Sequence, residues 1–285
     1  MNILTKITGY YQLFRLELPI AAGICIIAGE LLADGNSISF YELIKGFLVG
    51  FFISSSALIL NDYFDIEADK INSPSRPIPS GKVKPFEVII LSFITAIIGL
   101  SITLFINITA IAIAIIFWII GFLYNWKLKE TGLLGNIMVS SSVAITFIFG
   151  GIIVGNPFDK IVWFFAFIVF FIDLGEEIAS GAMDLEGDKK RKSKSIAIKK
   201  GYSFAIRLSS SLFMIVVIIN FIPFIFQWLG SAYLIMIGLM DTIIILSIIK
   251  LLKVKKLEEG RMYLRLIYLG ATVSLVAFIT GQLIM

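Results

Sequence analysis

Nine apolar runs of bilayer length dominate this 285-residue chain, and they leave few folds open to it. The runs cover approximately 16–33, 41–61, 86–105, 110–124, 133–155, 161–183, 204–221, 231–252 and 262–285. A hydrocarbon core about 30 Å thick asks for roughly 17–25 apolar residues per spanning helix. A helix is also one of the few structures that satisfies every backbone amide without water. The run at 204–221 leads into "IPFIFQW", whose Pro223 is expected to end it. A soluble domain has no use for 58% hydrophobic residues, 15% charged residues and a mean hydropathy of +0.96. The expected fold is therefore an all-α integral membrane protein, about nine transmembrane helices in one bundle. No glycine- or serine-rich linker breaks the chain, so residues 1–285 are expected to form a single transmembrane domain.

Lysine and arginine collect on the cytoplasmic side of a membrane protein. With nine spans, only Lys45 and Lys160 of the 24 Lys and Arg fall opposite the N-terminus. The basic side is thus read as cytoplasmic, and the chain as a multi-pass protein of the cell membrane with its C-terminus outside. The opening "MNILTKITGYYQLFRLELP" has no basic head, short apolar run and small-residue cleavage site, so no removable leader is read. Cys25 is the single cysteine, which rules out an intrachain disulfide, and histidine is absent. The commonest general base and the usual zinc and haem ligands are missing with it. Any metal chemistry must run on oxygen ligands.

Two acidic clusters stand out against this background: Asp62, Asp65, Glu67 and Asp69 at the end of the second run, and "MDLEGD" at the end of the sixth. On a helix of 100° per residue, Asp62, Asp65 and Asp69 lie within about 60° of one another, with Asn61 about 40° further round and Glu67 pointing elsewhere. Asp184 and Asp188 are likewise i, i+4, and Asp173, Glu177 and Ser180 precede them on one stripe. Both clusters close helices at the C-terminal end, where the backbone already carries partial negative charge and an anion is disfavoured by about 0.3–1 kcal/mol. Like charges at i, i+4 add to that cost. A carboxylate at the depth of Asp173 or Glu177 costs more, about 2.5–3.5 kcal/mol on insertion scales.

One answer is plain pairing of solvated helix ends with Lys70, Arg76 or the basic run 189–192. A divalent cation answers the problem better. Mg²⁺ takes carboxylate oxygens, keeps waters and bridges to substrate phosphates, and Asn61 offers one more oxygen. Arg15, Arg76, Lys127 and Lys129 lie on the same side; arginine grips phosphate bidentately and lysine acts as a point charge. Pro74, Pro77 and Pro79 stiffen the loop that carries Arg76.

The residues "NDYFDIEADKINSPSRPIPSGKV" resemble the N-D-x-x-D-x-x-x-D segment, followed by N-x-P-x-R-P, of the UbiA superfamily of intramembrane prenyltransferases. "MDLEGDKKRKSKSIAIKKG" is similar to that family's second motif, D-x-x-x-D. "YNWKLKETGLLGN" stands where the family has a loop of the Y-x-x-x-K type, with Lys127 and Lys129 at three and five residues after Tyr124. The resemblance implies that an isoprenyl diphosphate binds through Mg²⁺ and that its allylic carbon alkylates an acceptor. It implies Asn61, Asp62, Asp65 and Asp69 as ligands of one Mg²⁺, and Asp184 and Asp188 of another. Asp65, Asp184, Tyr124 and Lys127 would then be catalytic, with Arg15, Arg76, Lys127, Lys129, Lys189 and Arg191 on phosphate. The "RPIPSG" and "DLEGD" stretches look most like the archaeal ether-lipid branch, in which a geranylgeranyl group passes to the free glycerol hydroxyl of geranylgeranylglyceryl phosphate. Where that branch often has Gly-Arg-Glu, this chain has Gly175, Glu176 and Glu177. The implied partners are the diphosphate donor, a lipid phosphate acceptor and membrane lipids, with no nucleic acid and no obligate protein partner.

Rival readings keep the chemistry but change the acceptor to 4-hydroxybenzoate or haem b. A different class is a cation transporter with Asp173, Glu177 and Asp241 as transit ligands. Such a carrier places its acids near the midplane, whereas the strongest clusters here end their helices on one side. Asp241 is most simply a buried residue bonded to a neighbouring helix.

Overall fold

The structure, a computed structural model, describes residues 3–34, 38–185, 193–254 and 257–284, and all their regular structure is helical. The elements are α1 (Ile3–Phe14), α2 (Glu17–Asp34), α3 (Phe40–Phe64), α4 (Ile66–Asn72), α5 (Pro85–Thr103), α6 (Ile108–Trp126) and a 3₁₀ turn (Leu128–Thr131). Then follow α7 (Leu133–Ile153), α8 (Lys160–Met183), α9 (Ile196–Lys200), α10 (Tyr202–Ile219), α11 (Ile222–Ile225), α12 (Ser231–Leu251) and α13 (Leu257–Ile284). The starts are chemically marked. Ser39 and Glu42 form a capping box on α3, Asn107 caps α6, and Asp159 caps α8 through the Ile161 and Val162 amides.

Among the described residues seven helices are long and apolar enough to cross a membrane, or eight if α1 and α2, bent by 41°, form one span. The ninth expected span, α8, has the length, about 36 Å for 24 residues. It falls short on apolarity because it carries Asp173, Glu176 and Glu177. Pro223 does not end its span as expected; α10 stops at Ile219 and the proline sits in the first turn of α11, where its missing N–H costs nothing. Large apolar side chains such as Phe93, Ile97, Ile218 and Leu239 stay exposed along these helices, a surface suited to lipid.

The chain folds as two compact units. The first comprises Met1–Glu30, Ser37–Leu128 and Thr146–Pro157. In it α3 and α5 are joined by reciprocal bonds, Ser56 Oγ to the Ser92 carbonyl at 2.8 Å and Ser92 Oγ to the Ser56 carbonyl at 2.9 Å. Trp118 on α6 donates to Ser56 Oγ at 3.0 Å. Small residues and interhelical hydrogen bonds do this work because apolar side chains gain little by leaving lipid for protein.

The second unit comprises Leu31–Asn36, Lys129–Ile145 and Phe158–Met285. Its core gathers Phe164, Ile178, Phe213, Ile244, Leu264 and Phe278 from α8, α10, α12 and α13. Asp241 is buried there and accepts a hydrogen bond from Asn220 Nδ2 at 2.7 Å, while Tyr233 Oη donates to the Asn220 carbonyl at 2.9 Å. Asp241 thus meets a neighbouring helix end. Asp241→Ala is expected to cost about 1–3 kcal/mol, because the Asn220 amide loses its buried partner; thermal unfolding in detergent micelles measures it.

Candidate active site

In the first unit α3 stops at Phe64, and Asp65 (φ −93°, ψ 6°) is at once its C-cap and the N-cap of α4. The helical bonding nevertheless carries through, with Asp65 N on the Asn61 carbonyl at 3.0 Å and Asp69 N on the Asp65 carbonyl at 2.7 Å. The expected stripe therefore survives the break. Asp62, Asp65 and Asp69 are 3%, 8% and 3% exposed, whereas Glu67 points to solvent and pairs with Lys70 at 2.6 Å.

Three buried carboxylates require cations or dense hydrogen bonding, since an unpaired buried charge is prohibitively costly. Two arginines meet Asp62 and Asp69. The loop after α4 is anchored by Ile78 and Val83, which pack with Leu13, Ile59 and Val88, and it turns at Gly81 with φ +75°. This places Arg76 Nη1 2.6 Å from Asp69 Oδ2 and 3.5 Å from Asp62 Oδ1. Arg15, between α1 and α2, donates from Nη2 to Asp62 Oδ1. Arg15 sits at φ +43°, left-handed backbone that costs a non-glycine residue about 1 kcal/mol or more and is held only where its surroundings insist on it. Pairing of Arg76 with Asp69 is the plain alternative foreseen from sequence, and it coexists with a cavity. Gln12, Arg15, Asp62, Ser75, Arg76 and Pro77 line a space of about 200 Å³. Gln12 is fixed by Lys82 Nζ at 2.9 Å.

Asn61 is tied by its amide nitrogen to Asn125 Oδ1 at 2.8 Å, and Asn125 in turn donates to the Ala57 carbonyl at 2.8 Å. That arrangement orients the Asn61 side chain and leaves its Oδ1 as the atom available to a metal. Tyr124 lies in the last turn of α6, partly buried. The helix ends at Trp126, and Lys127 at φ −148° leaves it, so Lys127 is exposed rather than stacked one turn beyond Tyr124. Lys129 belongs to the 3₁₀ turn of the second unit.

In that unit Asp184 is the C-cap of α8 and half exposed, and Arg261 Nη2 donates to its Oδ1 at 2.6 Å. Asp188, Lys189 and Arg191 lie outside the described residues. One helical stretch earlier, Asp173 is buried and accepts from Ser140 Oγ at 2.9 Å and Tyr268 Oη at 2.6 Å. A second cavity, about 300 Å³, is lined by Glu176, Ser180, Arg261, Leu264, Arg265 and Tyr268. Sequence reasoning placed Glu177 on this stripe, but Glu176 faces the cavity. It also took Arg261 and Arg265 only as cytoplasmic anchors and overlooked Tyr268. Their i, i+4, i+7 spacing was the available signal.

Among the described residues no group of three or more His, Cys, Asp or Glu forms a ready metal cage. Asp62 and Asp69 are turned to arginine instead. The donor chemistry still fits Mg²⁺, which needs only one or two carboxylates beside waters and substrate phosphates. Asp62 opens on the cavity, where the Gln12 and Ser75 side chains also offer oxygen atoms.

A profile described as the UbiA prenyltransferase family matches residues 22–271. Digeranylgeranylglyceryl phosphate synthase of Methanocaldococcus jannaschii is 34% identical over 278 residues, covering 98% of this chain and 97% of that protein. The synthase of the same name from Sulfurisphaera tokodaii is 30% identical over 283 residues, covering 98% and 99%. A solved structure of a digeranylgeranylglyceryl phosphate synthase matches with a TM-score of 0.80 at 34% identity, over 98% of this chain and 99% of that one. A UbiA homologue from Archaeoglobus fulgidus bound to DMAPP and Mg²⁺ has a TM-score of 0.73 at 17% identity, over 96% and 99%, a likeness of fold. With a match across most of its length and relatives above 30% identity from end to end, this chain belongs to the UbiA prenyltransferase family.

Proposed function

We propose that this intramembrane prenyltransferase moves a geranylgeranyl group from geranylgeranyl diphosphate to the free glycerol hydroxyl of geranylgeranylglyceryl phosphate, with residues 1–285 acting as one catalytic domain. The observation that carries the reaction class is the cluster in the first unit: three buried carboxylates, two of them, Asp62 and Asp69, paired with Arg15 and Arg76 beside a cavity. The names of the full-length relatives support the acceptor, and the ligands of the Archaeoglobus fulgidus homologue support an isoprenyl diphosphate and a divalent cation.

In the transfer, the bond from the allylic carbon to the diphosphate oxygen breaks with its electron pair leaving on diphosphate, a bond from that carbon to the glycerol oxygen forms, and the hydroxyl proton passes to the released diphosphate or to solvent. Asp62, Asp65, Asp69 and the Oδ1 of Asn61 would hold one Mg²⁺, and Asp184 and Asp188 a second. A divalent cation bound by these residues would supply positive charge against the leaving diphosphate. Arg15 and Arg76 are preorganised by their carboxylate partners to receive phosphate oxygens, so little reorganisation is left for the reaction itself. Exposed Lys127, with Lys129, Lys189 and Arg191, adds positive charge on the approach. Tyr124 serves the allylic cation or the acceptor. Apolar helices keep water from quenching that cation. The N-terminus and the active-site loops face the cytoplasm, in keeping with the placement of Lys and Arg.

Purified protein in detergent, supplied with Mg²⁺ and geranylgeranyl diphosphate, is tested with geranylgeranylglyceryl phosphate and separately with 4-hydroxybenzoate. Product from the lipid phosphate is expected; product from the aromatic acid alone would overturn the acceptor. Chelation by EDTA is expected to stop turnover and added Mg²⁺ to restore it. Undiminished turnover in EDTA would remove the metal from the reading.

A further inference from the structure

The cavity of the second unit has no task in the reaction as described so far. Helices α8 and α13 run antiparallel along it, pinned by Arg261 on Asp184 at 2.6 Å and by Tyr268 on Asp173 at 2.6 Å. These pins are 11 residues apart on α8, about 16 Å. Along this stretch α8 presents Glu176 and Ser180, at i, i+4, and α13 presents Arg265 between the pinned Arg261 and Tyr268, at i, i+4, i+7. The phenol is fixed, because Asp173 is buried and is also held by Ser140.

Arg265 is the unusual member. It lies inside the stretch Glu259–Ile279, which is apolar enough to cross a membrane, and it makes no ion pair among the described residues. Arg261, one turn away, is already committed to Asp184. Arg265 is exposed near the start of that stretch, and an arginine on a membrane helix is stabilised by reaching water or by meeting an anion. Opposite it, Glu176 offers a hydrogen-bond acceptor on the same cavity. A guanidinium on one wall and a carboxylate on the other suit a ligand with an anionic end and a hydroxyl, which describes a glycerol phosphate head group.

We propose that this cavity is the subsite for the phosphate end of the lipid acceptor, with Arg265 as its principal contact and Glu176 accepting a hydrogen bond from the glycerol hydroxyl. The inference rests on the acceptor reading above and adds to it a place and a specificity-determining residue. Arg265 holds the phosphate through paired N–H bonds, a geometry lysine cannot reproduce.

The test compares two acceptors, geranylgeranylglyceryl phosphate and its phosphate-free counterpart geranylgeranylglycerol, in wild type, Arg265→Ala and Arg265→Lys. Wild type is expected to show a KM for the phosphate-free lipid higher by about tenfold or more, the scale of a lost charge-assisted pair. Arg265→Ala is expected to raise KM for the phosphate acceptor by a similar factor, leaving KM for geranylgeranyl diphosphate and for the phosphate-free lipid unchanged. Arg265→Lys should fall between, and it decides the matter if the alanine variant does not fold. Equal losses on both acceptors would place a bulk lipid phosphate at Arg265 and overturn the subsite. So would unchanged kinetics, and in both cases the acceptor reading would stand. Wild type that turns over an aromatic acceptor but neither lipid would end both.

Discussion

Asp65→Ala is expected to lower prenyl transfer by about a thousandfold or more, equivalent to about 4 kcal/mol in the barrier, while the protein stays folded. Asp65 is 8% exposed at the break between α3 and α4, and its side chain makes no capping bond to α4. The backbone there is held by Asp65 N on the Asn61 carbonyl and Asp69 N on the Asp65 carbonyl, bonds that alanine also makes. The backbone junction of α3 and α4 therefore persists in the variant, and the expected loss falls on the carboxylate's charge. Asp62→Ala is a poorer test, because it strips Arg15 and Arg76 of a shared partner and mixes stability with activity. Asp184→Ala, at a half-exposed helix end, should lose activity in the same way. Initial rates with geranylgeranyl diphosphate, beside melting temperature in detergent, separate the two effects. Full activity in either variant with the fold intact contradicts the metal assignment.

Gly29→Val is expected to be the most damaging single change to the fold of the first unit. A Cβ at Gly29 would run into the backbone carbonyl of Phe147 on α7, and one at Gly150 into the Ile26 carbonyl and the Glu30 amide on α2. Each glycine is the space the other helix occupies, so α2 and α7 touch backbone to backbone. Overpacking ordinarily costs about 1–3 kcal/mol where side chains can give way. Here the obstacle is a carbonyl group within a helix, and the expected loss is at or above the top of that range. Size-exclusion chromatography and melting in detergent should show little monodisperse Gly29→Val protein and a smaller shift of the same sign for Gly29→Ala. A valine variant with wild-type melting would mean the helices do not meet at Gly29.

Much of this was legible beforehand for a physical reason. Hydropathy is local: an apolar run either spans a bilayer or does not, and the helices follow the expected runs to within a few residues. The first acidic cluster was legible too, since helical spacing alone separates Asp62, Asp65 and Asp69 from Glu67. Where expectation slipped, a local rule met a local exception. Carboxylates lowered the apolarity of α8 and so the count of clear spans. Glu176 rather than Glu177 turned to the cavity, because neighbouring positions on a helix differ by 100° and small rotations decide between them.

Sequence alone determined that the chain is a helical membrane protein, that two clusters of acids close helices, and that any metal chemistry would have to use oxygen ligands. Those properties are sums over neighbouring residues, and they survive any arrangement of the helices. Tertiary structure decided which charges meet: Arg15 with Asp62 across 47 positions, Arg261 with Asp184 across 77, Tyr268 with Asp173 across 95. No periodicity reports such pairs, because they depend on how whole helices dock, and docking is settled by glycine notches and interhelical bonds far from the charges themselves.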